Sequence, residues 1–276
     1  MKVSIFTNSV ALAGVDVYRK FIQSIQKTDT VVHNSLDADI AVIWSVLWNG
    51  RMLPNKLVWD HYRSQGKPVI VVEVGGLIRN KTWRIGVNGI NNLAAFGVFE
   101  KTGISRSKLL GLELKPWTKR GTHIKICTQH SKSETWPIQI TVEEWVQQAV
   151  KQIRAVSDRP IILRPHPRHP IKTSLRTELP IYTEKDDTDF ASSLTDCWAV
   201  VNFNSNPGIQ SIMNGTPAFV DQSSLASSIG NLDLSLIENP QRPDRAEWFE
   251  WLCHCEWLET EIEAGKPWSR VRQLLD

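Results

Sequence analysis

Arg164-Pro165-His166-Pro167 and Asn204-Ser205-Asn206-Pro207-Gly208 each close an apolar run, and each brings groups suited to holding phosphate. The first run, Pro160-Ile161-Ile162-Leu163, empties into Arg164 and His166, which in an extended segment lie two apart and point to the same side. The second run, Ala199-Val200-Val201-Asn202-Phe203, leads into a predicted helix. Asn206 is a good N-cap for it, Pro207 suits the first helical position, and Gly215 is a C-terminal stop. A helix N-terminus leaves backbone N–H groups without intrahelical partners and carries partial positive charge, which makes it an anion site. Ligands of open α/β sheets bind beyond the carboxyl ends of the strands. Arg164, His166, Asn204, Ser205, Asn206 and the backbone of Gly208 are therefore candidate ligands of a diphosphate, such as that of a nucleotide-sugar. A third strand end, Thr128-Gln129-His130-Ser131, adds Gln129 and His130 for the phosphate or the sugar.

In the first half, Val71-Val72-Glu73-Val74-Gly75-Gly76 sets a carboxylate at the end of a buried strand, before two glycines that admit close approach. Such a group is placed to act as a general base on an acceptor hydroxyl, and burial would raise its pKa toward the useful range. Its bland alternative is to cap a helix or pair with Arg79 or Arg84. Asp16, in Gly14-Val15-Asp16, is the competing base and is equally suited to capping the helix that follows. The stretch from Leu77 to Gly89 interleaves Arg79, Lys81 and Arg84 with Trp83 and glycines. It reads as a loop able to track phosphates while stacking a base, although a solvated surface loop has the same composition. Trp48 and Arg51 lie near another strand end, with Trp44 and Lys56. No Asp-x-Asp follows an apolar strand, so metal-independent chemistry is expected, and Asp186-Asp187-Thr188-Asp189 reads as a helix entry. Cys253-His254-Cys255 lacks a second ligand cluster and reads as core cysteines beside an exposed histidine.

The scaffold for these groups is an alternation of short apolar runs with amphipathic segments, the pattern of α/β folds with a parallel sheet. Strands are expected near 2–7, 30–33, 38–45 and 68–74, and helices over 15–27 and 54–65. The region 75–122 is less regular, with a short helix near 105–111. A second alternation begins at His123-Ile124-Lys125-Ile126-Cys127. Thr141 with Glu144 forms a capping-box signature, and Val142, Trp145, Val146, Ala149, Val150 and Ile153 give the helical stripe. Strands at 160–164, 180–183, 199–203 and 217–220 and helices at 188–196 and 207–214 follow, then a helical tail from Pro243. The expected division is an acceptor domain over 1–118 and a donor domain with the tail over 119–276.

Composition sets the outer limits. A chain of 276 residues with 41% hydrophobic and 22% charged residues is ordinary for a globular protein. No run approaches the ~20 apolar residues of a membrane span, and Met1-Lys2-Val3-Ser4-Ile5-Phe6 reads as a strand, not a signal peptide. Four cysteines fit a reducing cytoplasm. Of the 12 tryptophans most are expected in the core, with a minority available to stack on a sugar or base.

Arg164-Pro165-His166-Pro167, the later Asn/Ser-rich turn and helix, and Gly215-Thr216-Pro217-Ala218-Phe219-Val220 together resemble the C-terminal half of GT-B glycosyltransferases. The nearest likenesses are bacterial capsule Kdo transferases and polyglycerophosphate transferases, over residues 123–221. The resemblance implies a GT-B-like α/β fold of two Rossmann-like halves, with parallel sheets facing a central cleft. It also implies a nucleotide-sugar co-substrate such as a UDP-sugar, no metal and no other cofactor. Ala41-Val42-Ile43-Trp44-Ser45-Val46-Leu47-Trp48-Asn49-Gly50-Arg51-Met52 and the run from Gly66 through Gly75-Gly76 to Asn91 look like proteins of marine and T-even-like phages. Those proteins are associated with DNA hypermodification, including glucosyl or arabinosyl transfer to hydroxylated cytosines. This second resemblance implies double-stranded DNA as partner and the cytoplasm of an infected cell as location. The acceptor hydroxyl would sit on a modified cytosine, flipped out or reached through the major groove. Arg79, Lys81, Trp83, Arg84, Trp48 and Arg51 would hold the acceptor, with Glu73 or Asp16 as base. The net charge of +3 is low for DNA, which needs a local basic face. A capsule or lipopolysaccharide saccharide is the alternative acceptor, and it predicts carboxylates and stacked tryptophans instead of a basic trough.

Overall fold

The computed structural model describes residues 1–99, 103–136, 139–171, 181–184 and 189–275. Its strands are β1 (Lys2–Ile5), β2 (Thr30–His33), β3 (Ile40–Trp44), β4 (Val69–Val74), β5 (Thr82–Val87), β6 (His123–Cys127), β7 (Ile161–Arg164), β8 (Ile181–Thr183), β9 (Cys197–Asn202), β10 (Ala218–Phe219) and β11 (Glu256–Leu258). The helices are α1 (Val15–Ile25), α2 (Asn55–Ser64), α3 (Arg106–Leu109), α4 (Val142–Arg154), α5 (Asn206–Met213), α6 (Ala246–His254), α7 (Glu259–Glu263) and α8 (Lys266–Arg272). No helix among the described residues is long and apolar enough to cross a membrane.

The chain divides into two compact units. One comprises Met1–Arg106, Lys132–Glu134 and Trp251–Asp276, the other Ser107–Ser131 and Thr135–Glu250. This partition differs from the expected division at 118/119, and it moves the end of the tail into the N-terminal unit. The reason is burial. Ile262, Trp268 and Val271 from the tail share one core cluster with Phe21, Ile25, Val42 and Val72. Trp268 meets Phe21 edge-on at 6.3 Å.

In the N-terminal unit the sheet order is β11-β5-β4-β3-β1-β2. Strands β4, β3, β1 and β2 are parallel, whereas β5 runs antiparallel to β4 and β11 antiparallel to β5. Helix α1 covers one face and α2, through Val58 and Tyr62, the other. All of Ile40–Trp44 is therefore buried, as expected of a strand covered on both faces. Strand β5 corrects the reading of 77–89 as a loop. Trp83, Ile85 and Val87 alternate into the α1-side core, a period-2 pattern hidden by the intervening Arg84 and Gly86.

In the C-terminal unit β10-β9-β6-β7-β8 is wholly parallel. Helix α4 lays Val146, Ala149, Val150 and Ile153 on Ile124, Ile126, Ile161 and Leu163. Its capping box is present: Glu144 N–H donates to Thr141 Oγ1 at 3.1 Å and Thr141 N–H to Glu144 Oε2 at 2.7 Å. The helix expected over 188–196 is only a 3-10 turn at Ser192–Leu194, with Asp189 accepting from Ser192 N–H at 3.1 Å. Asp186, Asp187 and Thr188 lie outside the described residues.

A buried ion pair ties the tail to the rest of the N-terminal unit. Arg106 donates to both carboxylate oxygens of Glu261, at 2.7 and 2.6 Å. Burial alone would raise the Glu261 carboxyl, but the Arg106 donors and the Leu258 N–H outweigh it and hold it below its ordinary 4.5. The folded state thus binds this proton less readily than the unfolded chain, so stability present above about pH 4.5 is lost as pH falls toward the depressed value. Urea unfolding across that range is expected to show Glu261→Gln with a flatter dependence on pH than the wild type. Identical slopes would mean that Glu261 does not titrate differently on folding.

Candidate active site

The order β10-β9-β6-β7-β8 reverses direction between β6 and β9, and ligands of such sheets bind at the carboxyl edge of that switch point. Cys127 of β6 is in register with Arg164 of β7 and Asn202 of β9, so the three candidate loops leave the sheet side by side. They are fastened to one another. His166 N–H donates to Thr128 Oγ1 at 2.9 Å, and Asn204 N–H to Gln129 Oε1 at 3.2 Å. Asn202 Nδ2 donates to Cys127 O and to Ser205 Oγ, both at 2.9 Å. Asn204 Nδ2 donates to Thr135 O at 2.9 Å and to Ser223 Oγ at 2.8 Å. Gln129 and Asn204 are buried, and their side chains serve here to brace the loops.

Held by that frame are three imidazoles. The His130 ring lies 5.6 Å from His166 and 5.2 Å from His169, centroid to centroid. A tight turn brings His169 back, its N–H donating to His166 O at 2.8 Å. Arg168 N–H donates to His166 Nδ1 at 3.2 Å, which leaves the Nε2 of a neutral His166 as its N–H donor. His169 was not among the sequence candidates, although its spacing from His166 within one proline-rich run was visible. No group of three His, Cys, Asp or Glu residues among those described is arranged to hold a metal ion.

Arg164 takes a different position from the imidazoles. Its Nη1 lies 3.3 Å from Glu184 Oε2, and its guanidinium carbon 5.5 Å from the Phe190 ring centroid. Lys125, with its side chain 2% exposed, donates to both Glu184 oxygens at 3.0 and 2.9 Å and to Ser193 O at 2.6 Å. Two cations thus share one carboxylate beneath the strand ends, with the Asp189 carboxylate also within electrostatic reach of Arg164. Helix α5 adds its partial positive charge. Its N-cap is Ser205, not the expected Asn206, and the Ser205 side chain makes no cap bond. Asn202 uses that hydroxyl instead. Gly208 serves packing: a Cβ there would fall 2.8 Å from Val220 Cγ1.

Next to these loops is a cavity of about 210 Å³ lined by Trp145, Gln148 and Gln152 of α4, with Phe203, Asp221 and Leu232. Aromatic walls with a few amides and one carboxylate suit a heterocycle carrying polar edges.

In the N-terminal unit Glu73 stands near the end of β4. Ser45 Oγ donates to Glu73 Oε2 at 2.5 Å, and Val74 N–H to Oε1 at 2.9 Å. Ser45 itself has φ +66, a left-handed conformation that costs a non-glycine residue free energy and marks sites under functional constraint. The close approach permitted by Gly75 is used internally: a Cβ there would fall 2.4 Å from both Glu256 Oε2 and Thr82 O. Asp16, in the first turn of α1, is 80% exposed, with Arg19 3.7 Å away.

The expected acceptor residues separate. Trp83 is core, and Arg84 is buried with Nη2 2.7 Å from Glu256 Oε1. Arg79, Lys81 and Arg51 are exposed. Trp48 is half-buried, with its ring 6.1 Å from Trp59. Glu134 was missed altogether, because only the tertiary pairing of Lys132–Glu134 with Val46–Trp48, where Glu134 N–H donates to Val46 O, brings it near the turn that carries Trp48. Cys253 and Cys255 are buried, with His254 stacked on Phe99 at 5.1 Å.

No protein-family model matches the chain. No curated protein matches it. Among solved structures it is similar to the beta Kdo 2,4 transferase of Thermosulfurimonas dismutans KpsC, with 14% identity over 92% of this chain and 90% of that one, at a TM-score of 0.62. It is also similar to the beta Kdo 2,7 transferase of the same KpsC, with 12% identity over 96% and 98% of the two chains, at a TM-score of 0.53. At such identity the likeness speaks to architecture: two α/β units, one with a wholly parallel sheet and one with a parallel four-strand core extended by antiparallel β5 and β11, give this chain the fold of the GT-B glycosyltransferases.

Proposed function

We propose that the chain transfers a glycosyl group from a nucleotide-sugar, such as a UDP-sugar, to an acceptor hydroxyl. The observation that carries this reading is the convergence of His130, His166 and His169 at the switch point of the C-terminal sheet, beside the start of α5. Imidazole N–H groups and the helix dipole are suited to a diphosphate, whose negative charge grows as the sugar leaves. The cavity lined by Trp145 and Phe203 would take the nucleoside. Likeness to two Kdo transferases supports sugar transfer.

For the acceptor, Glu73 is better placed than Asp16 to take the hydroxyl proton, being braced by Ser45 while Asp16 is in solvent. The attacking oxygen then bonds to the anomeric carbon, and the electron pair of the breaking C–O bond leaves on the nucleotide phosphate. A hydroxylated or hydroxymethylated cytosine in DNA is the acceptor that the phage resemblance favours. The capsule or lipopolysaccharide saccharide gains from one observation, the removal of Trp83 and Arg84 from the surface.

The test is to incubate the protein with a panel of UDP-sugars and DNA bearing cytosine, hydroxycytosine or 5-hydroxymethylcytosine, then to analyse nucleosides by mass spectrometry and free UDP by chromatography. A pentose or hexose mass on a hydroxylated cytosine is expected for the DNA acceptor. UDP release without DNA modification moves the acceptor to a saccharide, and a protein that neither binds nor consumes any UDP-sugar sinks the UDP-sugar reading.

A further inference from the structure

The segment Val46–Trp48, just past the end of β3, carries Trp48, one of the expected acceptor residues, near side chains that neither the donor loops nor Glu73 use. The segment Lys132–Glu134 lies along it: Trp48 N–H donates to Lys132 O at 2.8 Å and Glu134 N–H to Val46 O at 2.9 Å. Leu47 and Ser133 form an antiparallel bridge between these bonds. This pairing fixes Glu134 beside the turn that carries Trp48. From α2 comes Trp59, its ring 6.1 Å from that of Trp48 and inclined at 51°. One turn further, the guanidinium carbon of Arg63 lies 5.9 Å from the Trp59 centroid. Both indoles and Glu134 are half-buried, while Arg63 and Lys132 are exposed.

Glu134 is the unusual member. Burial raises its carboxyl above the ordinary value, and the positive charge of Arg63 offsets only part of that. No described group donates a hydrogen bond to its carboxylate, so the charge of Arg63 offsets only part of the cost of its burial. A ligand that brings hydroxyl donors would remove that cost, with a charge-assisted hydrogen bond in place of lost water.

We propose that Trp48, Trp59 and Glu134 form a subsite for a saccharide acceptor. This rests on the glycosyl-transfer reading and names its acceptor class. A sugar ring has an apolar C–H face and a rim of hydroxyl donors. The inclined indoles offer dispersion contact to the first, and Glu134 accepts from the second. A nucleic-acid backbone asks for the reverse, cations without a half-buried carboxylate among them. Ser45, whose hydroxyl holds Glu73, stands three residues before Trp48, which links the subsite to the candidate base along one stretch of chain.

The test uses the full chain on an array of bacterial capsule and lipopolysaccharide oligosaccharides, with a DNA duplex and UDP as separate probes. Wild-type binding to at least one glycan is expected. Glu134→Gln and Trp48→Ala should each weaken it by about tenfold or more, as loss of a charge-assisted bond or an aromatic contact implies. Trp48→Phe should recover part of the loss, and UDP affinity should stay within about twofold of the wild type throughout. A wild type that binds UDP but no glycan, whether or not it also binds DNA, overturns the subsite and leaves the transfer reading standing. Equal glycan affinity in wild type, Glu134→Gln and Trp48→Ala overturns it as well. A chain that binds neither UDP nor glycan overturns both readings.

Discussion

Replacing Glu256 with glutamine is expected to destabilise the N-terminal unit by about 3–5 kcal/mol, the usual cost of stranding one member of a buried ion pair. Glu256 sits on β11 with its side chain fully buried. It accepts from Gly76 N–H at 2.7 Å, Leu77 N–H at 3.0 Å, Thr82 Oγ1 at 2.6 Å and Arg84 Nη2 at 2.7 Å. A glutamine amide turns one acceptor into a donor facing other donors, and it leaves the Arg84 guanidinium buried without a counterion. Urea unfolding should show a lower midpoint with an unchanged slope. Adding Arg84→Met to Glu256→Gln should recover part of the loss, because no buried charge is then left uncompensated while one acceptor remains for Gly76, Leu77 and Thr82. A single-variant loss under about 1 kcal/mol would mean that water reaches Arg84, as at exposed pairs.

This pair also marks where the sequence stopped being readable. Signals with a short range were legible: the apolar runs of β3, β4, β6 and β7, the Thr141–Glu144 capping box, and the loops after β6, β7 and β9 that the parallel sheet brings together. Arg84 reads as a surface cation in the sequence because its partner stands 172 positions away, on a strand within the stretch that the pattern gives to a helical tail. A two-residue alternation broken by Arg84 and Gly86 carries too little periodicity to outweigh glycines and charges. The same limit applies to Glu184 with Lys125 and Arg164, and to Glu134 near the turn that carries Trp48. Each is a chemical group whose environment is made by tertiary contact alone. Gly75 was legible as a site of close approach, but the approaching atom is Glu256 and not a substrate. In the C-terminal unit the strand pattern thus brought the candidate loops together as local signals implied, while in the N-terminal unit part of the expected acceptor surface is the inside of a sheet.

Glu73→Gln is expected to lower kcat by about 10²–10⁴-fold, the range for removal of a general base, with donor affinity unchanged. Glutamine keeps the size of the side chain and an acceptor for Ser45, so a fall in rate would reflect lost basicity more than lost packing. Ser45 separates the two contributions. Ser45→Ala removes the hydroxyl that holds Oε2 at 2.5 Å and should lower kcat by a smaller factor, about tenfold, since the carboxylate is still present. Ser45→Gly removes the same hydroxyl but also the penalty of φ +66, so it should be the more stable of the two by about 1 kcal/mol. Asp16→Asn should leave turnover within about twofold, because its carboxylate is in solvent beside Arg19 and has no fixed relation to the strand ends. Steady-state turnover of a consumed nucleotide-sugar, with calorimetric titration of UDP, reads all four variants. A kcat for Glu73→Gln near that of the wild type would remove Glu73 as base. A simultaneous loss in Asp16→Asn would give the proton to the first turn of α1, which the exposure of that carboxylate argues against.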